Sequence, residues 1–254
     1  MKNLKTDISV IEPEVLGAEE KVKAWFSLKN GGLSTDRQKI PGLNLGFNTA
    51  ESKKKVVKNR QLLFAALDLD PEWVAFADQV HSNRVRSVSQ GGTYPETDGL
   101  VTVIPGLTLA IQVADCAAVL LWDDANGVIG ALHAGWRGAA GDIVPRGIEE
   151  MVKQGADTAK KKAFVSPCIA LKNFEVGPEV AVQFPADFVD EENYRKPHVD
   201  LKGYLENQLL EAGLNPSHIE IRPECTIDDE NFYSYRREGE TSGRMMALIQ
   251  LGEA

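Results

Sequence analysis

Apolar residues in the middle of this chain fall in short runs bounded by glycine, proline, asparagine and aspartate, without the three-to-four spacing of an amphipathic helix. Runs near Val74–Val80, Val85–Val88, Leu100–Ile104, Leu107–Val113, Ala117–Trp122 and Val128–His133 therefore predict strands. Asp123-Asp124-Ala125-Asn126-Gly127 predicts a hairpin between the last two, because Asn-Gly accommodates positive φ angles. Val22–Leu28 predicts an earlier strand, and runs near Ile219–Arg222 and Met245–Leu251 predict later ones. Helical spacing occurs in three places. Ser52 is positioned to cap a helix reaching about Ala66, with Val56, Leu63 and Leu67 on one face. Asp142 opens a second with Val144, Ile148, Met151 and Val152 on its face, and Pro145 falls in its tolerant first turn. Asp200 opens a third, with Leu201, Leu205 and Leu209, stopping at Gly213. The Gly/Ser/Asp/Pro-rich stretch from Asn30 to Asn48 reads as a loop long enough to be functional.

Strands clustered centrally, with helices between some of them, predict an α+β fold of mixed β-sheets flanked by helices. No repeat, low-complexity linker or composition break interrupts the chain, so residues 1–254 read as a single domain. An apolar fraction of 43% over 254 residues is enough for a real core without metal or disulfide staples. The net charge of −9, from 28 basic and 37 acidic residues, argues against nucleic acid or an anionic membrane as the main partner. A small anionic substrate in a local basic pocket stays compatible with it. No apolar leader follows Met1-Lys2-Asn3-Leu4-Lys5-Thr6-Asp7, and no run approaches the roughly 20 apolar residues of a membrane span. Three widely spaced cysteines, Cys116, Cys168 and Cys225, make a poor disulfide framework, so a cytoplasmic protein is expected.

Three side chains carry the candidate chemistry. His81, Cys116 and His133 each lie at or beside the end of a strand-like run, far apart in sequence. Two imidazoles and a thiolate supply three of the four ligands that zinc prefers and leave one position open, as a catalytic zinc requires. Each has a plainer reading alone: a surface histidine for His81, an inert packed thiol for Cys116, a tight turn at His133. Asp115, inside the same apolar run as Cys116, shifts that balance, because a carboxylate there is costly to bury unless it is paired or used. It could orient a ligand histidine or serve as a general base. The run His133-Ala134-Gly135-Trp136-Arg137-Gly138 suggests a backbone turn that something approaches closely. His198 and His218 lie in polar segments and are expected to be solvent-exposed. No Cys-x-x-Cys pair, Gly-x-Ser-x-Gly elbow or Walker A loop occurs. Two histidines and a cysteine also match a blue-copper site, but four histidines in total cannot furnish a trinuclear copper cluster. Arginine forks suit phosphate, and Arg60, Arg236 and Arg244 are candidates, the last two in an aromatic, glycine-containing C-terminal stretch.

Gln79-Val80-His81, Ala114-Asp115-Cys116 and His133–Gly138, in this order, resemble the bacterial laccase-domain family, whose members have been called polyphenol oxidase, peptidoglycan editing factor and purine nucleoside phosphorylase. The likeness extends through Asn44-Leu45-Gly46, Asn59-Arg60, Thr97–Thr102, Glu175-Val176-Gly177, Cys225-Thr226, Tyr235-Arg236-Arg237 and Gly243-Arg244-Met245. The resemblance implies a fold similar to certain cysteine-dependent toxin hydrolases and a zinc site of His81, Cys116 and His133. It implies phosphorolysis of adenosine- or inosine-type purine nucleosides, with adenosine deamination as a side activity. A copper-binding polyphenol oxidase is one alternative. Another is a Cys–His hydrolase of peptidoglycan precursors, with Cys116 as nucleophile and His133 as base. On the favoured reading Cys116, His133, His81 and Asp115 are catalytic. Arg137, Trp136, Arg60, Asn44, Gln79, Arg236 and Arg244 contact substrate or phosphate. Arg137 is then the arginine nearest the metal by sequence, and the purine stacks on Trp136 or on Tyr233 or Tyr235. The family often carries cysteine and tyrosine before Glu-Val-Gly, where this chain has Asn173 and Phe174.

Overall fold

A strand that is apolar at every position is stable only when both of its faces are covered. The computed structural model, which describes residues 2–3, 7–17, 21–33 and 40–252, covers the central strands with a second sheet on one side and helices on the other. In chain order the strands are β1 Lys2–Asn3, β2 Ser9–Ile11, β3 Val22–Ser27, β4 Val74–Ala77, β5 Val85–Ser87, β6 Gly92–Tyr94, β7 Gly99–Thr102, β8 Thr108–Val113, β9 Ala117–Asp123, β10 Val128–Ala134, β11 Lys162–Val165, β12 Val189–Asp190, β13 His198–Val199, β14 Ile219–Ile221 and β15 Met245–Leu251. The α-helices are α1 Lys53–Leu67, α2 Trp136–Ala140, α3 Ile143–Lys153, α4 Pro178–Ala181, α5 Leu201–Glu211 and α6 Tyr235–Glu238. One mixed sheet runs β1-β2-β3-β15-β8-β4-β6 and a second runs β14-β11-β9-β10-β7-β5, with β12-β13 as a separate ribbon.

The period-two geometry of β9 assigns its residues to two cores. Ala118, Leu120 and Trp122 pack between the sheets with Leu109, Ile111, Ala247 and Ile249. Ala117, Val119 and Leu121 face the opposite way, with Val144, Ile148 and Met151 of α3 and Leu201, Leu205 and Leu209 of α5. On the far side of the first sheet, Leu63, Phe64 and Leu67 of α1 cover Ala110, Met246 and Leu248. The result is four layers, helix–sheet–sheet–helix. It is the expected α+β class with mixed sheets, and no helix of the described residues is long and apolar enough to cross a membrane.

Several expectations change in detail. Ser52 and Asp142 stand at N-cap positions, but neither side chain makes a capping bond. The Asp142 carboxylate instead accepts from Gln208 Nε2 at 3.2 Å. Asp200 does cap α5, accepting from the Gly203 amide at 3.1 Å. Val152 is 46% exposed, because the buried face of α3 centres on Val144, Gly147 and Met151 and Val152 falls past its edge. β11 was hidden in the sequence behind Lys161 and Lys162, yet it pairs with β9 and β14. His198 is buried, not exposed: its ring stacks on Tyr194 at 3.8 Å between centroids, and Nδ1 lies 2.8 Å from the Leu171 carbonyl. His218 is half-buried. Residues 1, 4–6 and 34–39, within the N-terminal reading and the predicted loop, lie outside the described residues.

Candidate metal centre and substrate pocket

The site forms where the chain passes from one sheet to the other. β8 ends at Val113 in the first sheet and β9 begins at Ala117 in the second, so Cys116 sits in the crossing. Asp115 makes the sharp turn at φ 75°, a left-handed conformation that aspartate tolerates better than most residues. β10 pairs antiparallel with β9, placing Ala134 opposite Ala117 and His133 opposite Ala118. His133 shares the parity of Ile129 and Ala131, which lie in the inter-sheet core, so its ring reaches the mouth of that core beside Cys116. His81 follows β4 of the first sheet and also adopts a left-handed conformation, φ 59°. One donor atom from each of His81, Cys116 and His133 lies within 4.8 Å of the others, and the two rings meet edge-on with centroids 4.8 Å apart. The three residues that the sequence could not bring together do meet.

Sequence reasoning did not assign a role to the residue that organises this cluster. Asp98, fully buried, precedes β7 and lies beside His133, whose backbone N–H donates to the Asp98 carbonyl at 2.7 Å. Its carboxylate oxygen Oδ1 lies 2.8 Å from His133 Nδ1. A carboxylate can only accept, so Nδ1 donates and Nε2 is the nitrogen turned to the cluster. The same carboxylate accepts from the backbone amides of Val80, His81 and Ser82 at 3.2, 3.0 and 2.7 Å, and from the Ser82 hydroxyl at 2.7 Å. One buried group thus fixes the tautomer of one histidine and the backbone turn that presents the other. Burial alone would raise its pKa, but the bonds from His133 and Ser82 more than reverse this and hold it at about 2. The signal available in the sequence was an aspartate between Thr97 and Gly99 at the start of an apolar strand.

Asp115 does a different job. Its carboxylate accepts from the Thr226 hydroxyl at 2.7 Å and from the Arg236 amide at 2.6 Å, tying the Cys116 turn to the C-terminal segment. The acceptor that orients the histidine is Asp98, not Asp115. Burial opposes ionisation of Cys116, yet the positive character of His133 and hydrogen bonds from both histidines bring its pKa down. His133 moves the other way: burial disfavours its charge, while Cys116 and Asp98 favour it. The pair therefore leans toward thiolate and imidazolium, and metal binding to it releases a proton. Cys168 is the contrast, because burial in apolar surroundings pushes its thiol up to about 12 and leaves it inert.

Gly135 lies where the β9–β10 ladder would continue opposite Cys116. A Cβ built there would stand 2.9 Å from Cys116 Sγ and 3.4 Å from His81 Cδ2. Gly135→Ala is therefore expected to displace the thiolate and lower bound metal by about tenfold or more. Metal stoichiometry measured beside far-UV circular dichroism checks this, and unchanged metal content would refute the assigned crowding.

The cluster lies on the wall of a cavity of about 930 Å³, within the range of small-molecule sites. His81, Asp115, Cys116, His133, Gln79, Arg60, Trp136, Tyr235, Arg236 and Arg244, all candidates from the sequence, line it. Gln79 uses its amide as a strand would: Nε2 donates to the Gln112 carbonyl at 2.7 Å and Oε1 accepts from the Gln112 amide at 2.8 Å. It anchors the His81 turn to β8. Asn44 is fully buried outside the lining, where its Oδ1 accepts from the amides of both Gly46 and Arg244. Tyr233 is core, its hydroxyl donating to the Pro41 carbonyl; the aromatic residues that line the cavity are Phe47, Phe76, Trp136, Phe174 and Tyr235, the first two stacked on Arg60.

Arg137 corrects the expectation most. It is exposed, outside the lining, and stacked over Trp136 at 4.1 Å, because α2 begins at Trp136 and turns the next residue away. Arg137→Ala is therefore expected to leave the affinity of the cavity for its ligands within about twofold, as befits a residue outside its lining, and a larger loss in a binding titration would refute this.

The sequence profile of a family described as multi-copper polyphenol oxidoreductase laccase matches residues 23–252. The chain is 39% identical over 229 residues to a protein of Deinococcus radiodurans named purine nucleoside phosphorylase, covering 89% of this chain and 88% of that one. It is 30% identical to purine nucleoside phosphorylase YlmD of Bacillus subtilis, covering 92% and 90%. Among solved structures it is similar to YlmD from Geobacillus stearothermophilus, with a TM-score of 0.86, 27% identity, and coverage of 95% and 100%. It is likewise similar to the hypothetical protein YfiH of Bacillus licheniformis, with a TM-score of 0.85, 29% identity, and coverage of 91% and 93%.

Proposed function

The chain belongs to the family described as multi-copper polyphenol oxidoreductase laccase, and on that premise we propose that its cavity is the active site of a zinc-dependent purine nucleoside phosphorylase. The observation that carries this reading is the convergence of His81, Cys116 and His133, with a carboxylate-oriented imidazole, on the wall of a cavity also lined by arginines and aromatic rings. The donor set fits zinc: two imidazoles and a thiolate are borderline-to-soft ligands, and His81 is exposed and able to turn toward a shared ion. When bound, zinc supplies a Lewis acid toward a substrate oxygen at its remaining position.

The chain's own groups do the rest. Asp98 holds His133 in the tautomer that leaves Nε2 available. Trp136, Phe174 and Tyr235 offer faces to a purine. Phe174 has no hydroxyl, so this residue packs the base without offering it a proton. In the reaction a hydrogen phosphate oxygen forms a bond to C1′ of the ribose as the C1′–N9 bond breaks. The bonding pair leaves with the purine, which takes up the proton carried by the phosphate, giving ribose 1-phosphate and free base. Asp115, the acid–base candidate for adenosine deamination, already accepts bonds on both carboxylate oxygens, which favours phosphorolysis.

A multicopper mechanism needs several more imidazoles than this site offers. His81, Cys116 and His133 form the one potential metal-ligand group among the described residues, and His198 is stacked on Tyr194. One specific observation supports a second reading. Cys116, His133 and Asp98 stand in the nucleophile–base–orienting order of a hydrolytic triad, which fits the Cys–His hydrolase.

The test is metal analysis of protein purified without added metal, beside inosine and adenosine cleavage with and without phosphate. We expect about one zinc per chain and ribose 1-phosphate only when phosphate is present. Zinc without nucleoside turnover would overturn the phosphorylase reading. Hydrolysis of a cell-wall amide that survives a chelator would replace it with the second.

A further inference from the structure

With Arg137 outside the cavity, the oxyanion subsite has to be found among other cations. We infer that Arg60 and Arg244, with the Gln112 carboxamide beside Arg60, form a preassembled subsite for a tetrahedral oxyanion, and that free phosphate occupies it in the proposed phosphorolysis. This rests on that reading for the identity of the co-substrate, but not for the site.

Arg60 is 9% exposed, on the inner face of α1, and its guanidinium lies between the Phe47 and Phe76 rings at 4.2 and 4.5 Å. Nε donates to the Leu45 carbonyl at 2.8 Å and one terminal nitrogen to Gln112 Oε1 at 3.1 Å. Among the described residues no carboxylate pairs with it, and the other terminal nitrogen has no hydrogen-bond partner. Burial is the single cause acting on its pKa, which falls to about 10. A buried cation without an anion costs several kcal/mol in general, which is a large penalty merely to hold one loop carbonyl. Since Arg60 lines the cavity, an anion from the cavity is the group that offsets it.

Arg244 reaches the same cavity from the residue preceding β15. Met245 pairs with Val113, so Arg244 lies at the same strand end as Gln112, close to Cys116. One terminal nitrogen donates to the Ser242 and Gly243 carbonyls at 3.0 and 2.8 Å, and no carboxylate among the described residues pairs with it. The backbone around it is shaped to its stem. A Cβ at Gly46 would fall 2.4 Å from Arg244 Cγ, and Asn44 Oδ1 bonds the amides of Gly46 and Arg244 together. Both guanidiniums are thus held on one edge by main-chain carbonyls, and their remaining N–H groups are left for a ligand. Preassembled donors of this kind lose little entropy on binding, and arginine forks match the oxygen spacing of phosphate.

The experiment measures inorganic phosphate binding to the full zinc-loaded chain by calorimetry, with sulfate as competitor, and steady-state kinetics on inosine. The variants are Arg60→Met, Arg60→Lys, Arg244→Met and the control Arg137→Ala. We expect phosphate affinity and phosphate KM to worsen by about tenfold or more in both methionine variants. Nucleoside KM should stay within about twofold, and the control should be unchanged. If Arg60→Met does not fold, Arg60→Lys decides: a retained charge on a shorter stem should give an intermediate loss. Unchanged phosphate KM in both Arg244→Met and the folded Arg60 variant would overturn the subsite while phosphorolysis stood. Phosphate binding that is lost in the variants, in a protein that cleaves no nucleoside, would keep the subsite and overturn the phosphorylase reading. Preferential capture of a nucleoside 5′-monophosphate that phosphate does not displace would overturn free phosphate as the occupant.

Discussion

Asp98→Ala is expected to be the most damaging single change outside the metal ligands. Five donors converge on that carboxylate: the amides of Val80, His81 and Ser82, the Ser82 hydroxyl and His133 Nδ1. Alanine strands them around a position that is itself fully buried. Breaking a buried, charge-assisted network of this kind costs about 3–5 kcal/mol, which for a chain of this size lowers the melting temperature by roughly 10 °C. The His81 turn loses its anchor and His133 loses its fixed tautomer, so metal affinity should fall a further ~10–100-fold. Thermal melts of the metal-stripped protein isolate the first effect, and competitive zinc titration isolates the second. Asp98→Asn separates the two roles. Its carbonyl oxygen can still accept from His133, but its amide must then face the N–H groups of Val80 and Ser82. A variant with wild-type melting and wild-type zinc affinity would show that Asp98 does not organise the site.

Cys116→Ala and His133→Ala are each expected to abolish stoichiometric zinc and nucleoside cleavage while leaving the four-layer fold in place. The reason is geometric: removing any donor from a three-donor site leaves two, and a site built from two side chains binds zinc orders of magnitude more weakly. Cys116 is half-buried, so its truncation should cost at most about 1–2 kcal/mol of stability. His133→Ala should cost more, because it removes one of the groups that neutralise the buried Asp98 carboxylate. Elemental analysis, circular dichroism and the phosphorolysis assay distinguish a folded metal-free protein from a damaged one. Unaltered zinc content in both variants would remove these residues from the metal site. Loss of zinc with retained nucleoside cleavage would point to a different locus of catalysis, because each variant also lacks one member of the Cys–His pair.

Much of the architecture is present in local sequence. The runs at Leu107–Val113, Ala117–Trp122 and Val128–His133 contain no polar alternation, and they became β8, β9 and β10, buried on both faces. The leucine spacing after Asp200 became α5, capped by the residue expected to cap it. Such patterns are readable because they depend on the 2.0 or 3.6 periodicity of a backbone whose neighbours are close in sequence. β11 was not legible, since lysines flank it and its apolar character shows only once β9 and β14 enclose it.

The site divides the same way. Residue chemistry alone nominated His81, Cys116 and His133, because a thiol and two imidazoles at strand ends are a short list in a chain with four histidines. Which aspartate serves them was decided by pairing between strands. Asp115 is adjacent to Cys116 in sequence but turns to Thr226 and the Arg236 amide, 111 and 121 residues away. Asp98 lies 35 residues from His133 and becomes its neighbour through the β7–β10 ladder. The direction of Arg137, the burial of Asn44, Tyr233 and His198, and the presence of Arg60 and Arg244 in the lining of one cavity were likewise set by tertiary packing. Sequence determines which groups are available and how each segment repeats. Only the assembled sheets determine which way a side chain points at a turn and which buried donor meets which acceptor, because those choices minimise unpaired polar groups over the whole molecule and no local stretch contains both partners.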